Sequence, residues 1–219
     1  YQLAANGGDR QARYALATMH LNGRGVAQDR GKAASLFEEA ARQGQIDSMY
    51  NLALLHLEGS VRPLDPKLAA ELLSRAAEAG HGDAQYALGQ LYAEGLGVDR
   101  DESAATRWLG SAARLGNVAA EVEYAIRLFN GLGTAKDEAA AVRWFDRAAH
   151  AGDPIAQNRL ARILAVGAGT TADPVAAAKW HFLAKRTGKD DGWLDTFVNG
   201  LTPDQRQAAI AAAQRFPAD

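Results

Sequence analysis

The chain has 219 residues, with 24 Lys and Arg against 26 Asp and Glu and a net charge of −2. That balance gives no electrostatic reason to bind nucleic acid. No apolar run approaches the roughly 18 residues of a membrane-spanning helix, which gives no reason to expect membrane insertion. The absence of cysteine excludes disulfides, thiolate metal sites and cysteine catalysis.

Taken in order, Tyr1-Gln2-Leu3-Ala4-Ala5 aligns with Phe37-Glu38-Glu39-Ala40-Ala41. Residues 1–7 therefore read as the last turns of a helix belonging to a preceding repeat, with more of the native protein upstream. From there a glycine recurs at Gly8, Gly44, Gly80, Gly116, Gly152 and Gly188, always 36 residues apart. Five repeats follow in register at 8–43, 44–79, 80–115, 116–151 and 152–187.

Each repeat reads as helix A, a turn and helix B. Asp9, Asn117 and Asp153 are expected N-caps of helix A, and Pro154 suits a first helical position. In the third repeat Asp83 is the expected cap. A second glycine ends helix A at Gly23, Gly59, Gly95, Gly131 and Gly167. A third, at Gly25, Gly97, Gly133 and Gly169, lets the chain reverse. The second repeat has Val61 there, so its turn must differ. Asp29, Asp65, Asp101, Asp137 and Asp173 then cap helix B, with proline following at Pro66 and Pro174. Helix B carries a bulky pair in each copy: Leu36-Phe37, Leu72-Leu73, Trp108-Leu109, Trp144-Phe145 and Trp180-His181. Trp108, Trp144 and Trp180 share one position, expected in the core by helical periodicity.

After Gly188 the pattern breaks. Residues 193–198 read as a short helix. Thr202-Pro203-Asp204-Gln205 is a capping-box start for a helix over 203–216. Ala209, Ile210, Ala213 and Phe216 form its apolar side. Residues 188–219 are read as a cap over the exposed end of the array.

The third repeat, with Leu88-Gly89, Tyr92, Gly95-Leu96-Gly97-Val98, Asp101, Ala105 and Trp108, resembles the consensus of the Sel-1-like repeat family, and the likeness runs over about residues 5–186. It implies an all-α fold: a right-handed α/α superhelix, or solenoid, of five 36-residue helix-turn-helix repeats with a C-terminal helical cap. It also implies a non-enzymatic interaction scaffold or regulator. Several bacterial members act in the periplasm, as envelope regulators that hold a sensor kinase inactive or as scaffolds of exopolysaccharide assembly. A sensor or envelope-assembly protein is therefore the expected partner. A periplasmic location is expected, with the cytoplasm as the alternative. Oligomeric state is open.

Other chemistries are poorly supported. The Gly-x-Gly pieces lack the preceding strand and the Gly-Lys-Ser/Thr ending of a phosphate loop. His20 and His56 occupy one repeat position. Their helices would stack about 10 Å apart, while zinc needs each imidazole nitrogen within about 2 Å. No nucleophile–base pair stands out, so no catalytic residue, metal or cofactor is expected. A β-lactamase-like or other hydrolase is the remote alternative, since the members so described carry a disulfide in each repeat. A purely structural spacer is another.

In related tetratricopeptide solenoids the first helix of each pair lines the concave face. Mapped onto this chain, that places three rows in a groove. One holds Tyr14, Tyr50, Tyr86, Val122 and Asn158. A second holds Thr18, Leu54, Gln90, Ile126 and Arg162. A third holds Gln11, Asp47, Asp83, Ala119 and Ile155. Glu58, Glu94 and Phe129 border them. The candidate partner-binding set is Tyr14, Asp47, Tyr50, Leu54, Asp83, Tyr86, Gln90, Glu94, Val122, Ile126, Phe129 and Arg162. It reads as acidic and tyrosine-rich first, then more apolar, suiting a peptide with basic and apolar residues. The competing reading gives the tyrosines to packing between helices.

Overall fold

A computed structural model of the chain describes residues 1–216. Among these residues every regular element is a helix. A short α1 (Gln2–Asn6) precedes five helix pairs: α2 (Arg10–Asn22) with α3 (Arg30–Arg42), α4 (Ile46–Glu58) with α5 (Pro66–Glu78), α6 (Gly82–Glu94) with α7 (Glu102–Arg114), α8 (Val118–Asn130) with α9 (Glu138–His150), and α10 (Pro154–Val166) with α11 (Pro174–Arg186). Two further helices, α12 (Gly192–Asn199) and α13 (Pro203–Gln214), close the described chain. Each of the ten paired helices has 13 residues.

The chain divides into two compact units, Tyr1–Ala112 and Ala113 onward. Within the first, α2 packs on α3, α3 on α4, α4 on α5 and α5 on α6. Within the second, α8 packs on α9, α9 on α10 and α10 on α11, while α13 lies against α11. Alanine makes these contacts close. Ala33, Ala40, Ala69 and Ala76 are wholly buried in the first unit, and Ala141, Ala148, Ala177 and Ala184 in the second.

One joint recurs between repeats. Gly80 takes φ +88° and its N–H bonds Ala77 O, while His81 N–H bonds Ala76 O at 3.1 Å. This satisfies the last carbonyls of helix B in a Schellman arrangement. The residue after the glycine has a second task, because its side chain caps the next helix A. Asp9, Asn117 and Asp153 do so as expected. Gln45 fills the place in α4. In α6 the cap is His81 and not Asp83: His81 Nδ1 accepts the Ala84 N–H at 3.1 Å. Asp83 is already the second residue inside the helix, where its charge suits the helix dipole but cannot supply the cap.

The turn between A and B closes on one backbone bond in all five repeats. The N–H of the capping aspartate reaches a carbonyl in the last turn of helix A: Asp29 to His20, Asp65 to His56, Asp101 to Tyr92, Asp137 to Leu128 and Asp173 to Leu164. The Val61 turn meets the same bond by another course, without positive φ at Val61. The third glycine is needed for space as well as for reversal. A Cβ on Gly97 would lie 2.1 Å from Pro66 O, and one on Gly169 would lie 2.5 Å from Glu138 Cβ. The Gly97 and Gly169 turns thus sit directly on the first turn of the preceding helix B.

The terminal helices behave as a cap. Phe216, just past α13, packs edge-on to Trp180 at 5.4 Å. Trp180 is accordingly buried, whereas Trp108 and Trp144 are half-buried at the margin of their cores. The Thr202–Gln205 capping box forms, and Ala209 and Ala213 face inward. His181, 1% exposed, holds Asp195 of α12 through Nε2 at 2.8 Å, and Lys185 Nζ reaches the same oxygen. Hydrogen bonds from Lys185 first, and then from His181, hold the Asp195 carboxyl below its usual range.

Candidate partner-binding faces

In the first unit the candidate residues sit on α2, α4 and α6, and a chain of polar contacts links the starts of these helices. Gln45 Nε2 lies 3.4 Å from Gln11 Oε1 and donates to Asp47 Oδ2 at 2.8 Å. Asp47 Oδ1 is 3.4 Å from His81 Nε2. The capping bond makes Nδ1 an acceptor, so Nε2 carries the hydrogen that faces Asp47. The His81 ring also stacks on Tyr50, with centroids 4.7 Å apart. His81 is not among the residues that the sequence reading singles out. Its column, shared with Asp9, Asn117 and Asp153, was the available signal.

The tyrosines divide their surfaces between core and solvent. Tyr14 leans on Phe37 at 6.0 Å, and both Tyr14 and Tyr50 border the buried cluster of the first unit. Burial, and then the charge of Asp83, push the Tyr50 phenol up. The Tyr86 hydroxyl lies 2.8 Å from Gln90 Nε2. Leu54, at 38% exposure, and the exposed Asp83 and Glu94 complete the face. Glu58 is committed elsewhere, paired with Arg30, which together with Ser60 lowers its carboxyl pKa.

In the second unit the expected residues separate. Val122 is only 5% exposed and packs in the core, so it offers a partner nothing. Ile126 and Phe129 line an open cleft of about 210 Å³ with Arg159, Arg162, Ile163 and Val166. Arg162 is held in place: Nε and Nη2 donate to the two oxygens of Asp191 at 2.6 and 2.8 Å. Its guanidinium lies over Trp193, 5.3 Å from the ring centre. Asn158 donates to the same carboxylate at 2.8 Å. Asp191 in turn caps α12 through the N–H groups of Trp193 and Leu194. Arg162, with help from Asn158 and Leu194 N–H and against its own burial, drives the Asp191 pKa far below the ordinary carboxylate range. Arg162 therefore anchors the cap as well as bordering the face.

The remaining candidates for chemistry have structural work. His20 and His56 each place Nδ1 near a turn carbonyl, Ala27 O at 3.2 Å and Pro63 O at 3.1 Å, latching the end of helix A to its turn. Gly131 and Gly133 are left-handed turn residues at a helix end, and no strand is found among the described residues. Among those residues no three His, Asp or Glu side chains are grouped to hold a metal. No helix there is long and apolar enough to cross a membrane.

A family model of the Sel1 repeat matches residues 10–45, 46–81, 82–117, 118–153 and 154–186. The chain belongs to the Sel1 repeat family. Proteins of this family are generally non-enzymatic scaffolds whose repeats mediate protein binding. A Sel1 repeat protein from Oxalobacter formigenes is similar in structure, with a TM-score of 0.79 and 24% identity over 95% of this chain and 88% of that one. The protective antigen c5321 of uropathogenic Escherichia coli, which displays the same repeat fold, gives a TM-score of 0.64 and 27% identity over 99% of this chain and 55% of that one. The immunity protein PA5088 of Pseudomonas aeruginosa gives 0.52 at 20% identity, over 96% and 82%. A search of curated proteins returns no match.

Proposed function

We propose that this Sel1 repeat protein is a non-enzymatic scaffold or regulator that captures a segment of a partner protein on the exposed face of its A helices. In the first unit the segment carries basic and apolar residues. The observation that carries this reading is the division of labour along α6. The glycines, alanines and caps of the third repeat are consumed by the frame, while Asp83, Tyr86, Gln90 and Glu94 stand on the outward side of that helix. Tyrosine supplies large contact area at low entropic cost, and Asp83 and Glu94 supply charge for a cationic partner.

The proposed setting is bacterial envelope signalling or exopolysaccharide regulation or assembly, in the periplasm. It rests on the family resemblance alone, because one fold serves many functions. Fractionation of the native host with an antibody to this chain tests the compartment. The binding reading is tested by quantitative pull-down from the same host with the wild-type chain and with Tyr50→Ala/Tyr86→Ala. The expected result is loss of the proteins that wild type enriches, while the helical circular dichroism of the variant is retained. Equal enrichment by both chains would move the binding function to another face or leave the spacer reading.

A further inference from the structure

The second unit presents different chemistry on the same type of helix face. Its cleft is lined by Ile126, Phe129, Ile163 and Val166, the last 63% exposed, together with Arg159 and Arg162. Among the described residues no carboxylate lines it. At about 210 Å³ it is smaller than the roughly 300–1,000 Å³ of small-molecule pockets, and is sized for one or two anchoring side chains.

Two cations border this apolar floor in different states. Arg159 is exposed and has no ion pair or hydrogen bond among the described residues. It is peculiar to this repeat, since the same position holds Ala15, Asn51, Ala87 and Glu123 in the others. Arg162 is immobilised by Asp191 through Nε and Nη2, with Trp193 beneath it, and Nη1 has no hydrogen bond among the described residues. A guanidinium already fixed in this way loses little freedom when a carboxylate docks on its remaining N–H groups. A third cation, Lys136, lies 5.8 Å from the centre of the Phe129 ring. Lys136 is paired with Glu138, so it adds less than the two arginines.

Building on the partner-capture reading above, we propose that this cleft docks a protein segment in which apolar side chains are flanked by Asp or Glu. The apolar residues fill the floor between α8 and α10, and the carboxylates pair with Arg159 and the free edge of Arg162. The second unit would thus select an acidic segment, opposite in charge to the one proposed for the first unit.

The test is a random dodecapeptide library displayed on phage, panned on the whole chain. It is panned in parallel on three variants: Arg159→Glu, Phe129→Ala, and Tyr50→Ala/Tyr86→Ala in the first unit. Thermal melts establish that each variant is folded. The expected result is a set of enriched peptides that combine apolar residues with Asp or Glu. As free peptides they should bind Arg159→Glu at least about tenfold more weakly than wild type, as expected for loss of a charge-assisted contact, and their binding to wild type should weaken as salt is raised. They should bind the Tyr50/Tyr86 variant unchanged. An enriched set containing only basic or neutral peptides, only peptides indifferent to both Arg159→Glu and Phe129→Ala, or only peptides that depend on Tyr50 and Tyr86 would overturn this proposal and leave the first-unit reading standing. A library that enriches nothing on the wild-type chain would overturn both.

Discussion

The A-helix faces of the two units share a frame and differ in almost everything the frame leaves over. In the first unit the polar side chains are spent on one another: Gln45 joins Gln11 to Asp47, Asp47 approaches His81, and His81 stacks on Tyr50. The result is a polar, tyrosine-edged surface with exposed Asp83 and Glu94. In the second unit the same helix positions hold Ile126, Asn158 and Arg162. There one carboxylate, Asp191, gathers the polar groups toward the cap and leaves an apolar cleft beside Arg159, which is unpaired among the described residues. Repeats separate what must be constant from what is free to vary. Chemistry on these faces is set by side chains at a few helix positions, at little cost to the fold.

The frame should fail alike in both units. Gly97→Ala and Gly169→Ala each drive a methyl into the preceding helix B at positive φ, and each is expected to cost about 3 kcal/mol or more. Gly80→Ala, with the same sign of φ and open space around its Cβ, should cost about 1–2 kcal/mol. Denaturant melts that rank Gly80→Ala with the other two would refute the close-approach account of the third glycine.

The faces should fail differently. Asp191→Ala removes the counter-charge of Arg162, a bond to Asn158 and the cap of α12. Arg162 is partly solvated, so the expected loss is about 2 kcal/mol, less than for a wholly buried pair. The folded-state pKa of Asp191 is depressed. Its contribution is therefore complete above the unfolded carboxylate pKa of about 3.9 and fades as pH falls below it. Urea midpoints measured from pH 6 down to pH 2 should fall more steeply for wild type than for the variant.

Glu121 gives a smaller effect of opposite sign. It stands where Gln85 and Gln157 donate to Ala77 O and Ala149 O. Its Oε2 is buried without a partner among the described residues, and Arg147 meets Oε1. Burial raises its pKa against the pull of Arg147. Stability from this group is thus present below the unfolded value and lost as pH rises through the folded one. Glu121→Gln should gain about 1 kcal/mol at neutral pH, most of it disappearing near pH 4. A variant less stable than wild type at pH 7 would show that the Arg147 pair outweighs the burial.

The smallest expected effect on stability belongs to the first-unit face. Asp83→Lys with Glu94→Lys alters exposed charges, and the melting free energy should stay within about 0.5 kcal/mol. Any partner bound there should be released, and a shift of the melt well beyond that range would mean that these acids serve the frame.

The 36-residue register made the helices, their order and nearly every cap legible, because glycine, aspartate and alanine recur for reasons that act within a few residues. The α6 cap is the exception, because Asp83 has the commoner capping side chain while His81 holds the capping column. Histidine is an unusual cap, and only the alignment with Asp9 and Asn117 identifies it. Val122 was placed on the binding face by its row, yet it is buried with its unit's core. The Arg162–Asp191 tie joins residues 29 apart in the sequence, across the break in the repeat, where no periodicity operates. Arg159 is not legible in the sequence, because a lone charge on a helix is ordinary until its neighbours are known to be apolar.

The central claim is that partners are met by the outward side of the A helices. Its most direct test is photo-crosslinking in the native host, with benzoylphenylalanine placed singly at Tyr86, Glu94 and Arg159 on A helices and at the exposed Glu71 on α5. The account predicts discrete protein adducts from the A-helix positions and none from Glu71. Adducts from Glu71 with silence at all three A-helix positions would contradict it.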